Sequence, residues 1–179
     1  MAQKFNIKGE GNQTAGRDIN YYLSGYDDLG KKFIFSPKIM AEIIDAVYNE
    51  IDNPSELDDF ERPDIEEKNK LNEITQDFFD NIIKECYDEF GKIDKFLKSP
   101  ANSKYQKKYA AIVKEISGEI YARISNGEKL QNMLPSLLNY AKLKDESFDS
   151  EKGHWLQVFS YYMYVNCDIG KKKWLNQIN

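Results

Sequence analysis

The chain has 179 residues, of which 41% are hydrophobic and 31% charged, so it can bury one core of medium size. Its formal net charge of -5 at pH 7 disfavours general nucleic-acid binding, although a local basic patch could still act. The two cysteines lack CxxC spacing, and the chain opens without a signal-like segment, so we expect a cytoplasmic protein with reduced thiols. No run approaches the roughly 18 apolar residues that a membrane span needs.

Residues 4–22 alternate apolar and polar side chains on either side of a turn-rich centre. Phe5 and Ile7 alternate before the glycines and asparagine, and Ile19 and Tyr21 alternate after them. This pattern predicts a short β-hairpin-like arm. Because two strands alone are marginal in water, the arm should either associate with another chain or cap its own helical domain.

The arm contains the sequence TAGRDIN. It is similar to the AGRDIN coil of parallel β-solenoid repeats and to short N-terminal tags of bacterial conflict-system proteins, and its single copy excludes a full solenoid. The assembly residues that we predict in the arm are Asn12, Gly16, Arg17, Asp18 and Ile19. The alternative for Gly16 is a role in the turn alone.

Helical spacing dominates the rest of the chain. Ser36 followed by Pro37 predicts a helix start, because serine caps free amides and proline suits the first position. Apolar residues at steps of three and four from Ile65 to Leu97 predict the longest helix, a spine on which the others pack.

Three further helices are predicted downstream. One ends at Asn126-Gly127, and the next must bend or restart at Pro135. The last begins at His154 and is apolar nearly all round, so it must be buried in the bundle or covered by a partner.

The predicted fold class is therefore mainly α. We expect a helical bundle of about five helices over residues 36–179, preceded by the β-hairpin-like arm and its connector over residues 1–35.

No sequence pattern in the chain indicates a catalytic site. His154 and Cys167 are separated by about 20 Å along one helix, which excludes a thiol–imidazole pair within it. Two cysteines and one histidine are too few for a four-ligand zinc site, and the acidic stretch 52–63 lacks the spacing of an EF-hand. The glycines of the arm fit neither a dinucleotide-binding nor a P-loop pattern. We therefore expect no catalysis, no cofactor and no metal.

Two stretches carry a resemblance to a known family. They read IEEKNKLNEI at residues 65–74 and YYMYVNCDIGKK at residues 161–172, with regular Tyr/Ile helices between them. Over roughly residues 64–172 the chain resembles the C-terminal helical domain of bacterial ABC-three-component conflict systems. In these systems an ABC ATPase is encoded beside a small middle component and an effector, and the resemblance implies that the domain links the effector to the others.

The resemblance implies a non-catalytic adaptor in prokaryotic anti-phage defence. Family members usually carry a nuclease or protease in front of this domain, whereas here the front holds only the arm and one helix. We expect a homo-oligomer formed through the arm, and docking of a partner protein, such as the ABC ATPase or the effector, through the bundle. The predicted docking residues are Asn166, Asp168 and Lys171, and the alternative for Asp168 is to hydrogen-bond backbone amides only.

A second hypothesis is a nucleic-acid or nucleotide sensor. It would use Arg17 and lysine-rich helix faces, foremost Lys104, Lys107, Lys108 and Lys114. The simpler interpretation of those lysines is an ordinary solvated helix face. An unrecognised hydrolase is the third hypothesis.

Overall fold

The computed structural model describes residues 33–51, 64–144 and 148–171, all of which belong to one unit that begins at Phe33. These residues are largely helical, and none of them forms a strand. The predicted mainly α fold is confirmed. The β-hairpin-like arm lies outside the described residues, and the boundary between residues 35 and 36 stays a prediction.

Helix α1, Pro37–Tyr48, begins where the sequence predicts. The Ser36 Oγ accepts a hydrogen bond from the amide of Ile39 at 3.4 Å, and Pro37 occupies the first helical position. The helix buries one apolar side against the bundle, formed by Met40, Ile43, Ile44 and Val47.

The spine predicted over Ile65–Leu97 is not one continuous helix, and that prediction is wrong. Helix α2 covers Ile65–Leu71, and the chain enters the next helix only at Gln76. Four elements then follow without a break. They are α3 (Gln76–Phe78), a π-helical segment (Phe79–Ile83), a 3₁₀ turn (Lys84–Cys86) and α4 (Tyr87–Lys98).

A left-handed residue causes the break in the spine. Glu73 has a φ of 55°, and the amide of Ile74 donates to the carbonyl of Asn69 at 2.9 Å, which closes α2 in a Schellman turn. The Thr75 hydroxyl then caps the next helix by accepting from the amide of Phe78 at 3.2 Å. The apolar spacing does not reveal this break, because Ile74 is buried and continues the apolar row.

The downstream helices match their predictions more closely. Helix α5 covers Ser103–Ser125. Gly127 follows it, and its φ of 87° completes another Schellman turn. The predicted interruption at Pro135 is confirmed, since a 3₁₀ turn occupies that position. The remaining helices are α6, Leu130–Met133, α7, Tyr140–Lys144, and α8, Ser150–Val165.

Helix α8 lies at the centre of the described bundle. It packs against α1, α4 and the 3₁₀ turn at Pro135, and α1 and α4 both pack against α5. Nine of its sixteen residues are buried, Trp155, Leu156 and every residue from Val158 to Tyr164. The prediction that this helix is buried is confirmed, and the bundle itself covers it. None of the described helices is long and apolar enough to cross a membrane.

Replacing Glu73 by glycine should stabilise the protein. The left-handed conformation costs a non-glycine residue about 1 kcal/mol, and the exposed Glu73 side chain makes only a 3.9 Å ion pair with Lys129. We expect urea denaturation to show a free energy of unfolding higher by about 0.5–1 kcal/mol in Glu73→Gly. The matched control, Lys70→Gly inside α2, should lower it by a similar amount. A loss of stability in Glu73→Gly would contradict this helix end.

Candidate functional site

The two stretches that carry the resemblance meet inside the bundle. The side chain of Lys68 on α2 is fully buried, its Nζ donates to the backbone carbonyl of Tyr164 on α8, and it lies 4.1 Å from the centre of the Tyr164 ring. The Tyr164 hydroxyl donates to the Oδ1 of Asn69 at 2.8 Å. Tyr164 thus contacts α2 through its backbone, its ring and its hydroxyl.

Asn72, at the end of α2, extends the same contact to the segment after α8. Its Oδ1 accepts from the amide of Lys171 at 2.6 Å, and its Nδ2 donates to the carbonyl of Lys171 at 3.2 Å. The same Nδ2 also donates to the carbonyl of Lys68 at 2.9 Å. This side-chain amide is buried and both its polar atoms are hydrogen-bonded, as buried polar groups require.

We call this set of residues the polar junction: Lys68, Asn69, Asn72, Tyr164 and Lys171.

The chain leaves α8 through a Schellman turn that leads into the polar junction. The amide of Asp168 donates to the carbonyl of Met163 at 3.0 Å, and the amide of Cys167 donates to the carbonyl of Tyr164 at 3.0 Å. Cys167 occupies the left-handed position with a φ of 65°. The helix therefore ends at Val165.

Gly170 lies where the chain passes closest to α2. Its φ is 93°, and a Cβ at this position would lie 2.9 Å from the Oδ1 of Asn72 and 3.1 Å from a methyl carbon of Leu130. Both the backbone conformation and the lack of space require glycine here. The preceding residue, Ile169, is fully buried and anchors the segment.

The predicted docking residues of the bundle lie beside this turn. Asp168 accepts, through its Oδ2, from the Tyr109 hydroxyl and from the Nδ2 of Asn166 at 2.6 Å. Burial, reinforced by the Asp168 carboxylate, raises the pKa of Tyr109 well above its ordinary value, so the hydroxyl stays protonated and donates. Lys171 contributes its backbone to the polar junction. Their role in binding a partner stays a prediction.

The other predicted site residues divide between described and undescribed parts of the chain. The arm residues lie outside the described residues: Asn12, Gly16, Arg17, Asp18 and Ile19. On α5, the Nζ of Lys108 lies 2.8 Å from the Oδ1 of Asp45 and 4.7 Å from the centre of the Tyr48 ring, and the Nζ of Lys104 lies 4.6 Å from the Tyr105 ring. These two lysines therefore make intramolecular contacts.

The Cys86 thiol and the His154 imidazole have surroundings that favour their neutral forms. Burial, with smaller effects of Glu89 and Glu85, raises the pKa of Cys86 to about 12, so this thiol is protonated at neutral pH. Burial also lowers the pKa of His154, whose ring lies 5.2 Å from that of Phe33. In the described ranges no three His, Cys, Asp or Glu side chains are grouped to hold a metal ion. The absence of catalysis stays a prediction.

The chain matches a known protein family over the region that contains these residues. The sequence model of C-terminal domain 12 (CTD12) of the ABC-three component (ABC-3C) systems matches residues 29–170. The chain belongs to this family. The resemblance seen in the sequence is thereby confirmed, and the match contains all of α1 to α8. No curated protein and no solved structure matches the chain.

In this CTD12 domain the sequence did not identify the internal role of the polar residues on α2. Lys68 and Asn72 are four positions apart and so share one helix face, which is polar and would ordinarily be assigned to solvent. The burial of this face becomes evident only from its hydrogen-bond partners, which are Tyr164 on α8 and Lys171 after it.

Replacing Gly170 by alanine should destabilise the domain more than the same change at Gly127. Both glycines are left-handed, but a Cβ at Gly127 would meet nothing within 4 Å, whereas at Gly170 it would collide with Asn72. We expect the free energy of unfolding to fall by about 1 kcal/mol in Gly127→Ala and by at least about 1 kcal/mol more in Gly170→Ala. Equal losses in urea denaturation would show that the chain does not approach Asn72 closely.

Proposed function

We propose that this CTD12 protein is a non-catalytic adaptor and assembly component of a prokaryotic anti-phage ABC-3C system, acting in the cytoplasm. Membership in the CTD12 family is the observation that carries the proposal. The proposal assigns this domain the task of connecting the components of its system. Binding, without bond chemistry, is the mechanism.

The described chemistry supports a binding role. The Cys86 thiol is held protonated, and buried polar side chains such as Asn72 are used in internal hydrogen bonds. A bundle fixed by such hydrogen bonds presents its surface residues in a constant arrangement, which suits an adaptor.

Docking of a partner is proposed at the end of α8. Asn166, Asp168 and Lys171 are half-buried and lie on one short segment after the helix, so their exposed atoms can be reached together. The Asp168 carboxylate already accepts two hydrogen bonds, which fixes its orientation toward a partner. The ABC ATPase or the effector of the same system is the proposed partner.

The variants Asp168→Asn and Lys171→Gln should weaken this docking. Asn keeps the shape of Asp168 and loses its charge, so the fold is retained while charge-assisted hydrogen bonds to a partner weaken. We expect the wild-type chain to co-elute with the co-expressed ATPase or effector of its system, and the double variant to do so less. The control is Lys38→Gln, which removes a charge from an exposed side chain on α1. Unchanged co-elution of the double variant would place the docking surface elsewhere.

Self-association is proposed through the arm. Arg17 and Ile19 are a charged and an apolar residue of the TAGRDIN sequence, and a strand pair of this size needs a further partner for stability. We expect light scattering to give a smaller solution mass for Arg17→Glu and Ile19→Asp than for the wild-type chain. The control is Lys8→Glu in the same arm. A wild-type mass that neither variant changes would refute assembly through TAGRDIN.

The alternative is a nucleic-acid or nucleotide sensor that uses Arg17 and the lysine-rich helix faces. One observation favours it: Lys104 and Lys107 are exposed at the start of α5 and have no carboxylate within 4.0 Å among the described residues. Salt-dependent retention of the chain on DNA or RNA that is lost in Lys104→Glu/Lys107→Glu would support the sensor, whereas partner-dependent co-elution supports the adaptor.

A further inference from the structure

The solvent-exposed face of α4 and of the turn before it carries its remaining charges in two blocks once the ion pairs within the helix are set aside. Lys84 and Lys98 are exposed there too, but they pair with Asp80 and Asp94. The other exposed charges recur at steps of three and four, acidic at Glu85 and Asp88 and basic at Lys92 and Lys95. In the described part of the chain, no side chain of opposite charge lies within 4.0 Å of any of them.

Two residues at the centre of this face are unfavourable for a surface that meets only water. Gly91 is exposed inside α4, and a Cβ there would meet nothing within 4 Å, so packing within the described bundle does not require glycine. Tyr87, one turn earlier, is 41% exposed and is one of two exposed large hydrophobic side chains among the described residues. A glycine beside an exposed aromatic ring allows another helix to approach closely and gives it an apolar contact.

We propose that two copies of the chain pack through this face, with their α4 helices antiparallel and crossing at Gly91. A two-fold axis on the exposed side of α4, at the level of residue 90, places Asp88 opposite Lys92 of the other copy, and Glu85 opposite Lys95, because each pair is centred on that residue number. The acidic block of each copy then meets the basic block of the other. Such an isologous contact closes at two subunits.

The order of the charges identifies a second copy as the occupant. A nucleic acid is negative along its whole length, so a strand bound at Lys92 and Lys95 would also run over Asp88 and Glu85. An acidic protein segment would likewise leave those carboxylates facing like charge. A partner that satisfies both blocks carries them in reverse order, and a second antiparallel α4 has this property.

The contact is expected to be weak and sensitive to salt. Each ion pair is exposed and therefore contributes little, and the apolar part is limited to Tyr87 and the surface opened by Gly91. It uses residues far from the arm in sequence, so it adds a second means of self-association to the one proposed above and does not depend on it.

The test is the solution mass of the full chain by light scattering, at high protein concentration and low ionic strength. One variant carries Glu85→Lys and Asp88→Lys, and the other carries Lys92→Glu and Lys95→Glu. Each variant alone places like charges opposite each other, so its mass should be lower than that of the wild type. In chains that also carry Arg17→Glu, where α4 is the one proposed contact left, the mass should be halved. A mixture of the two restores opposite charges in all four pairs, so the wild-type mass should return.

Gly91→Ala gives a second measurement with effects of opposite sign. Alanine is the better helix residue, so the melting temperature should rise, while the added methyl group separates the two helices and lowers the dimer fraction. The control is Gly118→Ala on α5, which is also exposed with nothing within 4 Å of a Cβ. It should raise the melting temperature and leave the mass unchanged.

Three results would overturn the proposal. They are equal masses for the wild type and both charge variants, no recovery of mass on mixing, and a Gly91→Ala chain that is more stable but dimerises as before. Nucleic-acid retention that Lys92→Glu/Lys95→Glu abolishes without a change in mass would assign the face to nucleic acid instead. Arg17→Glu tests the arm separately. In chains that carry this change, the α4 charge variants should still halve the solution mass. Failure of the α4 contact can therefore be distinguished from failure of the arm contact.

Discussion

The burial of Lys68 and its neighbours against Tyr164 constrains the rest of the bundle. Removing an ammonium group and two side-chain amides from water is costly unless each finds a hydrogen-bond partner, so α2 can pack only in a position that offers those partners. Tyr164 and the backbone of Lys171 supply them. Because α8 also packs against α1, α4 and the 3₁₀ turn at Pro135, the polar junction positions the central helix that these elements contact.

The stretches on which the resemblance rests therefore hold the bundle together from within. The turn after α8 requires a left-handed residue at Cys167 and a glycine at 170, and the Asp168 carboxylate is held by Tyr109 and Asn166. Residues held in place for such reasons determine the fold and say little about what the fold binds. The exposed atoms of Asn166, Asp168 and Lys171 beside this turn remain available for the proposed docking, and the exposed face of α4 for the proposed assembly.

Apolar periodicity and capping residues were sufficient to predict much of the fold. Ser36-Pro37, Asn126-Gly127 and Pro135 mark boundaries through local steric and hydrogen-bonding rules, and the composition of α8 alone requires burial. The break at Glu73 was missed because glutamate rarely adopts a left-handed conformation, and the apolar row continues across it. The polar junction was missed because a helix face with lysine and asparagine looks solvated until its partners, about a hundred residues later, are known.

A double-mutant cycle between Asn69 and Tyr164 tests the central claim most directly. Asn69→Ala leaves the buried Tyr164 hydroxyl without its acceptor, Tyr164→Phe removes the hydroxyl, and the double variant removes both groups. The account predicts that the two losses in free energy of unfolding are not additive, with a coupling of about 1 kcal/mol or more, because the second change is nearly neutral once the hydrogen bond is gone. Additive losses would show that α2 and α8 do not meet through these side chains, and the polar junction would not hold the bundle together.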